Sequence, residues 1–213
     1  MNTRSLLAEL IGTFALIFIG AGAVVTTDNI VAIALAHGLV IVAFAYAYGH
    51  HSGTHINPAV TFAMLVAGEI EIRTAISYWI VQFTGGTLGA LALSFALGGT
   101  ESNLGATVLS AGISPPQGIL IEAILTFFLV NTIMNTAVSG KSGNMSGLAI
   151  GLTLVFSILM GGPITGASLN PARTFGPALI TGNLSQFWIY LVGTMAGATA
   201  AALLYRSIFK AKN

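Results

Sequence analysis

The chain has 213 residues, of which 55% are hydrophobic and only 6% are charged, and its mean hydropathy is +0.90. Soluble globular proteins carry roughly a quarter charged residues, so this chain cannot cover a water-facing surface, and the same imbalance excludes a disordered chain. A formal net charge of +1 gives no basis for predicting a nucleic-acid-binding surface. The lack of cysteine excludes disulfides, thiolate metal sites and thiol catalysis. We therefore predict an integral membrane protein.

Six apolar segments are long enough to cross a bilayer, which takes about 20 mainly apolar residues. They lie roughly at 6–26, 30–49, 74–97, 117–139, 146–162 and 186–208. The first is not interpreted as a cleavable signal peptide, because Glu9 lies inside it and five further segments follow. Two shorter apolar pieces, 57–67 and 170–180, each begin with an Asn-Pro pair. Proline suits the first turn of a helix, so these pieces are predicted to be half-membrane helices that follow re-entrant loops.

The basic residues indicate an orientation. Six spans put both termini on one side of the membrane, together with the loops after the second and fourth spans. Six of the seven basic residues fall on that side: Arg4, Arg73, Lys141, Arg206, Lys210 and Lys212. Because positively charged loops tend to face the cytoplasm, we expect a multi-pass protein of the cell membrane with both termini cytoplasmic.

An internal repeat divides the single domain, 1–213, into halves of about 1–100 and 114–213. The sequence Asn-Pro-Ala occurs at Asn57, Pro58 and Ala59 and again at Asn170, Pro171 and Ala172, with an offset of 113 residues. Glu9 and Glu122 have the same offset, and Trp79 pairs with Trp188 at 109. Each half holds three spans and one half-helix, so the second half enters the membrane from the opposite face. Such inverted repeats commonly place their site near the midplane.

Small residues also recur in the third and sixth spans, as Gly85 with Gly89 and Gly193 with Gly197. Glycines four residues apart lie on one face of a helix and let a second backbone approach closely. We expect close helix crossings at these positions within one protomer.

The two asparagines begin the half-helices and are the first candidates for a site. An asparagine at this position can cap the helix through its side-chain oxygen, which leaves its NH2 donors to the lumen. The half-helix N-terminus adds a partial positive potential. A single Asn-Pro-Ala is explained by simple capping, whereas two copies at the repeat offset favour a pair of donors that hold a passing oxygen and repel cations.

Three charged residues inside apolar segments need an explanation, since such charges are costly and usually paired or functional. Glu9 and Glu122 form either a proton-coupled site or acceptors for the exposed backbone N–H groups of the re-entrant loops. Repeat symmetry favours the second interpretation, because each half has one loop and one glutamate. Arg173 has Val60 as its repeat partner and, apart from Glu122, no acid in its own half. A fixed guanidinium in a pore supplies donors and repels cations.

The paired boxes, with Ser52-Gly53-Thr54-His55 before the first and Arg173 directly after the second, resemble the aquaporin and aquaglyceroporin (major intrinsic protein) family. The resemblance covers almost the whole chain. It implies an all-α, right-handed bundle of six transmembrane helices and two re-entrant half-helices, with one pore per protomer, assembled as a homotetramer. It also implies that Glu9 and Glu122 support the loops. The pore-lining carbonyls that it implies are those of Gly53, Thr54, His55, Ile56, Gly166, Ala167, Ser168 and Leu169.

The selectivity filter of that family carries over by spacing. His37 lies twenty residues before Asn57, and Ile158 lies twelve before Asn170. With Ala167 and Arg173 they complete the four filter positions. Histidine and isoleucine here are similar to the branch found in plant vacuolar membranes, whose members pass water and often ammonia or urea.

These observations lead us to expect a passive channel for water and small neutral solutes, such as ammonia, urea and glycerol, that excludes protons and ions. The alternative is an ion- or proton-coupled secondary transporter, which often has inverted repeats but places exchangeable acids on its path. An enzyme would need a nucleophile–base pair or a metal cluster. The histidines at 50, 51 and 55 have no cysteine or acid nearby, so we expect no enzyme, no metal site and no cofactor.

Overall fold

Six long apolar helices form the protein, in a computed structural model that describes residues 2–210. Spans 1 to 6 are Thr3–Thr26, Ile30–Ser52, Ile72–Leu97, Pro115–Val138, Gly143–Thr165 and Phe187–Phe209. Each confirms a predicted segment to within a helical turn, and residues 2–210 contain no strand. Large apolar side chains are exposed on all six spans, for example Ile80 at 61% and Phe95 at 90%. The bundle is therefore apolar towards lipid. Lys212, which the orientation argument includes, lies outside the described residues.

Two short helices confirm the predicted half-helices. Half-helix 1 is Pro58–Ala67 and half-helix 2 is Pro171–Ile180. The side-chain oxygen of Asn57 accepts from the Ala59 N–H at 2.8 Å, which caps the first, and half-helix 1 ends at Gly68 in the left-handed conformation. Proline at the first helical position costs no hydrogen bond there, so the Asn-Pro pair fixes where each half-helix begins.

Close helix crossings repeat across the two halves. A side-chain carbon added at Gly38 of span 2 would stand 2.6 Å from the carbonyl oxygen of Gly151 in span 5, and the converse holds at 2.6 Å. One added at Gly85 of span 3 would strike a span 1 carbonyl, and one at Gly197 of span 6 would strike a span 4 carbonyl. These contacts confirm the predicted crossings at Gly85 and Gly197 and follow the inverted repeat.

The pairing of Trp79 with Trp188 is wrong. The Trp79 indole N–H donates to the Pro58 carbonyl at 3.1 Å, whereas Trp188 is 51% exposed. The equivalent residues are tyrosines: the Tyr78 hydroxyl donates to the carbonyl of Ser52 at 3.0 Å and the Tyr190 hydroxyl to that of Thr165 at 2.6 Å. The offset between spans 3 and 6 is thus 112, which differs by one residue from the offset elsewhere.

Candidate functional site

Two re-entrant loops, 53–56 and 166–169, carry strained backbone just before the half-helices. Both begin with a glycine in the left-handed region, at φ 82° and 80°. Positive φ also occurs at four other loop residues, Thr54, Ile56, Ala167 and Leu169, which pair at the repeat offset. Two of them are β-branched, and a β-branched residue rarely tolerates this conformation. Such strain persists only where the surroundings hold it.

Glu9 holds the first loop. Its carboxylate accepts from the backbone N–H groups of His55 at 2.8 Å and Ile56 at 2.6 Å. It also accepts from the Ser52 hydroxyl at 2.7 Å and the Gln82 amide at 2.8 Å. The side chain is fully buried, and these four donors meet both of its oxygens, so the carboxylate is fixed among groups of the protein.

Glu122 makes the equivalent contacts to the second loop. It accepts from the N–H groups of Ser168 at 3.0 Å and Leu169 at 2.8 Å, and from the Thr165 hydroxyl at 2.7 Å. The loop is tied further by the Thr174 hydroxyl, which donates to the Ser168 hydroxyl at 2.6 Å. Each buried glutamate therefore contacts one re-entrant loop.

The two Asn-Pro-Ala boxes meet back to back. The Asn57 side-chain NH2 donates to the Leu169 carbonyl at 2.8 Å, and the Asn170 NH2 donates to the Ile56 carbonyl at 2.9 Å. Each amide has two hydrogens, so one joins the loops and one is left. This corrects the expectation that all the NH2 hydrogens face the lumen, because one hydrogen of each asparagine is used by the opposite loop.

A cavity of about 420 Å³ runs past both boxes. It begins on the side of the termini, where it is lined by Tyr46, His50 and Asn144, and it extends to His37 and Arg173. Both box asparagines line it, as do five loop residues: Gly53, Thr54, His55, Ser168 and Leu169. Neither Glu9 nor Glu122 is among its lining residues. The remaining predicted positions are packed outside the lining: Ile56, Pro58, Ala59, Ile158, Gly166, Ala167, Pro171 and Ala172.

His37 and Arg173 both line this cavity and differ in hydrogen-bonding character. The His37 Nδ1 lies 2.9 Å from the Ile33 carbonyl oxygen, which can only accept. In the neutral ring Nδ1 therefore carries the hydrogen and Nε2 is an acceptor. Arg173 is 2% exposed, and its Nε and Nη1 have no hydrogen-bond partner among residues 2–210. The pair thus offers one acceptor and several donors.

Ile158 and Ala167, the other two predicted filter residues, are both 2% exposed and belong to the main hydrophobic cluster. Ile158 belongs to span 5, and the side-chain carbon of Ala167 lies 3.3 Å from the position that a side chain at Gly161 of the same span would take. Neither is among the residues that line the cavity of about 420 Å³.

Sequence reasoning missed Gln82. Its amide donates to Glu9 and, at 2.8 Å, to the Thr61 hydroxyl, so it joins span 3 to both the carboxylate and half-helix 1. The sequence carries one signal for it, a fully polar side chain in the middle of an apolar span. Its repeat position is Thr194, whose hydroxyl donates to a carbonyl of its own helix.

Comparisons with known proteins agree with this geometry. The sequence profile of the family described as "Major intrinsic protein" matches residues 1–205. Among curated relatives, "Probable aquaporin TIP3-2" of Arabidopsis thaliana is 42% identical, over 96% of this chain and 83% of its own length. "Aquaporin NIP1-4" of Oryza sativa subsp. japonica is 39% identical, over 96% and 77%.

The fold also matches a solved structure, the aquaglyceroporin from Plasmodium falciparum. The TM-score is 0.86 with 24% identity, and the match covers 97% of this chain and 96% of that one. Six spans, two half-helices that meet at their Asn-Pro-Ala boxes, and relatives above 30% identity over almost the whole chain lead to one conclusion: the chain belongs to the major intrinsic protein family, among the aquaporins.

Proposed function

We propose that this protein is a passive channel for water and small neutral solutes that excludes protons and ions. One observation carries the proposal: the cavity that passes both boxes is lined by hydrogen-bonding groups together with apolar side chains, while neither buried carboxylate lines it. A proton-coupled carrier needs an exchangeable acid on the substrate path. Here both candidates are fixed to the loops by hydrogen bonds. This supports a channel over a transporter.

Three features are proposed to form the barrier to cations: the two box asparagines, the two half-helix dipoles and Arg173. The remaining amide hydrogens of Asn57 and Asn170 hold the oxygen of a passing water. The positive ends of two half-helix dipoles face the same place, and Arg173 adds a fixed positive charge. A cation meets this potential without compensation, whereas a neutral molecule exchanges donors and acceptors along the path. The loop carbonyls at 53–56 and 166–169 are proposed as the acceptors.

The solute range follows from the proposed filter of His37, Ile158, Ala167 and Arg173. An imidazole is smaller than a phenyl or indole group and provides an acceptor, while the guanidinium provides donors. Isoleucine adds an apolar wall and alanine leaves room. We infer that ammonia and urea pass with water, and we include glycerol among the solutes to be tested.

The assembly is proposed to be a homotetramer in the cell membrane with cytoplasmic termini. In support, the partly buried amides of Asn131 and Asn135 continue the lipid-facing stripe of Leu120, Ile124 and Phe128 on span 4. Polar amides on an outer face at membrane depth are costly in lipid and suit a helix–helix contact. Native mass measurement in detergent tests the stoichiometry, and a monomer would contradict it.

Stopped-flow light scattering on proteoliposomes tests the proposed function. Water, urea, ammonia and glycerol permeabilities are measured with no ion gradient, against protein-free vesicles. Span 2 offers a matched pair of variants: Ala45 lines the cavity, whereas Ala43 is exposed on the outside. We expect Ala45→Trp to abolish the flux and Ala43→Trp to leave it unchanged. Flux that requires an ion gradient, or that survives Ala45→Trp, would contradict a channel through this cavity.

A further inference from the structure

Gly20 of span 1 lies against the ring of His37. A side-chain carbon built at Gly20 would stand 2.6 Å from Cδ2, 2.7 Å from Nε2 and 2.9 Å from Cγ of that ring. These distances are well inside van der Waals contact, so any residue other than glycine at this position displaces the imidazole. His37 is 4% exposed and lines the cavity, whereas Gly20 is absent from the described lining. The ring therefore stands between Gly20 and the cavity.

Gly20 lies in a segment of span 1 with unusual winding. Leu16–Ala21 is a π-helical segment within an otherwise α-helical span. Such segments are rare and occur frequently at functional sites. Within this segment Leu16 lines the cavity directly, while Gly20, four residues later, is covered by the ring.

The second half of the chain has large apolar residues at the positions equivalent to Gly20 and His37. The repeat partners of Gly20 and His37 are Ile133 and Ile150, and both of these isoleucines line the cavity. Leu16 has Leu129 as its partner, and both line the cavity as well. The two halves thus agree at Leu16 and Leu129 and differ at the next position. The large side chain of Ile133 lines the cavity itself, whereas the space beside Gly20 is occupied by the ring of His37.

We propose that Gly20 is a positioning residue that sets where the His37 ring stands and so determines which solutes pass. The inference rests on the proposed channel function. The ring is held from its own helix by the 2.9 Å contact of Nδ1 with the Ile33 carbonyl, and the bare backbone of Gly20 leaves it room on the other side. A methyl group at position 20 drives the ring towards the cavity or breaks the contact with Ile33.

The test compares five forms of the full chain in proteoliposomes: wild type, Gly20→Ala, His37→Ala, the double variant, and Gly22→Ala. Gly22 is a matched control, because a side-chain carbon built there would lie 3.4 Å from the side chain of Leu93, which is an ordinary van der Waals contact. Urea and water permeabilities are measured on the same vesicles, with thermal unfolding as a check on folding. We expect Gly20→Ala to lower the urea-to-water ratio about tenfold, the effect of one misplaced methyl group in a selective site.

The His37→Ala background separates positioning from packing. If Gly20 acts through the ring, Gly20→Ala changes nothing once the ring is gone. A single variant that fails to fold while the double variant folds also supports the contact. The same change in the ratio in both backgrounds, an unchanged ratio in Gly20→Ala, or a double variant that fails to fold while Gly22→Ala folds would each overturn the inference. Failure of the proposed function shows separately, as wild-type water flux no faster than through protein-free vesicles.

Discussion

Arg173 breaks the symmetry between the two halves, since Val60 occupies the equivalent position. Its guanidinium is buried on the cavity, with two nitrogens unpaired in the described part of the chain. We predict that Arg173→Val admits bulkier neutral solutes and raises cation leak, because it removes both the donors and the fixed charge. Glycerol flux and potassium leak on one vesicle preparation measure the effect. Arg73→Val is the control, because Arg73 is exposed in the first turn of span 3; equal behaviour of the two variants would contradict the role of Arg173.

His37 is the residue on which the solute range depends most. Replacing it with phenylalanine removes the Nε2 acceptor and adds volume to a site where the ring already touches Gly20. We predict that His37→Phe reduces urea and ammonia permeability more than water permeability. The three fluxes are measured on the same vesicles. Unchanged ratios would show that the imidazole does not face permeating molecules.

Ala167 is predicted to line the filter, although it is not among the residues that line the cavity of about 420 Å³. The chain contains no cysteine, so an introduced cysteine provides the single thiol with which an organomercurial can react. We predict that Ala167→Cys makes water flux sensitive to an organomercurial. Ala45→Cys, on the cavity, is the positive control, and Ala43→Cys, on the outer face, is the negative control. Normal conduction by a modified Ala167→Cys would remove Ala167 from the filter.

At the scale of whole elements, the re-entrant loops depend on the buried carboxylates. A glutamine at position 9 keeps one oxygen acceptor and turns an NH2 donor towards donors of the loop. We predict that Glu9→Gln destabilises the fold by about 2 kcal/mol, the range for hydrogen bonds to a charged group. Thermal unfolding in detergent measures this loss as a lower midpoint.

The exposed pair Lys210–Glu69, at 2.7 Å, provides the control for that experiment. Glu69→Gln should cost no more than about 1 kcal/mol, because solvent screens an exposed ion pair. Equal losses in Glu9→Gln and Glu69→Gln would mean that the strained backbone at Thr54 and Ile56 does not depend on the carboxylate.

The sequence predicted the elements well because their signals are local. Apolar length defines a span, and an Asn-Pro pair defines where a half-helix starts, so 57–67 and 170–180 required no tertiary information. The one-residue change of offset in span 6 was missed, because two tryptophans are a more conspicuous pair than Tyr78 and Tyr190. Equivalence there is defined by hydrogen bonds to the loop carbonyls, which composition does not reveal.

The details of the site depended on how the loops approach each other. Capping by Asn57 and Asn170 follows from position alone, but the donation of one NH2 hydrogen to the opposite loop requires the boxes to meet back to back. The role of Gln82 likewise becomes visible only once span 3 lies beside Glu9 and Thr61, to which its amide donates. These hydrogen bonds join segments that are distant in the sequence, so they cannot be predicted from one segment at a time.

At the scale of the molecule, two halves of similar fold enclose one cavity with unequal ends. The boxes, the half-helix dipoles and the carboxylates obey the repeat, whereas Gly20, His37 and Arg173 depart from it. We propose that the boxes and the half-helix dipoles form the barrier to cations together with Arg173. We also propose that Gly20, His37 and Arg173, which depart from the repeat, determine which solutes pass.

The most direct test of the central claim measures water and proton permeability on the same proteoliposomes. An osmotic step reports water flux, and a trapped pH dye reports proton leak under an imposed pH difference with the membrane potential clamped. We predict water flux far above that of protein-free vesicles and proton leak equal to the leak of protein-free vesicles. Rapid proton leak alongside water flux would contradict the barrier formed by Asn57, Asn170 and Arg173.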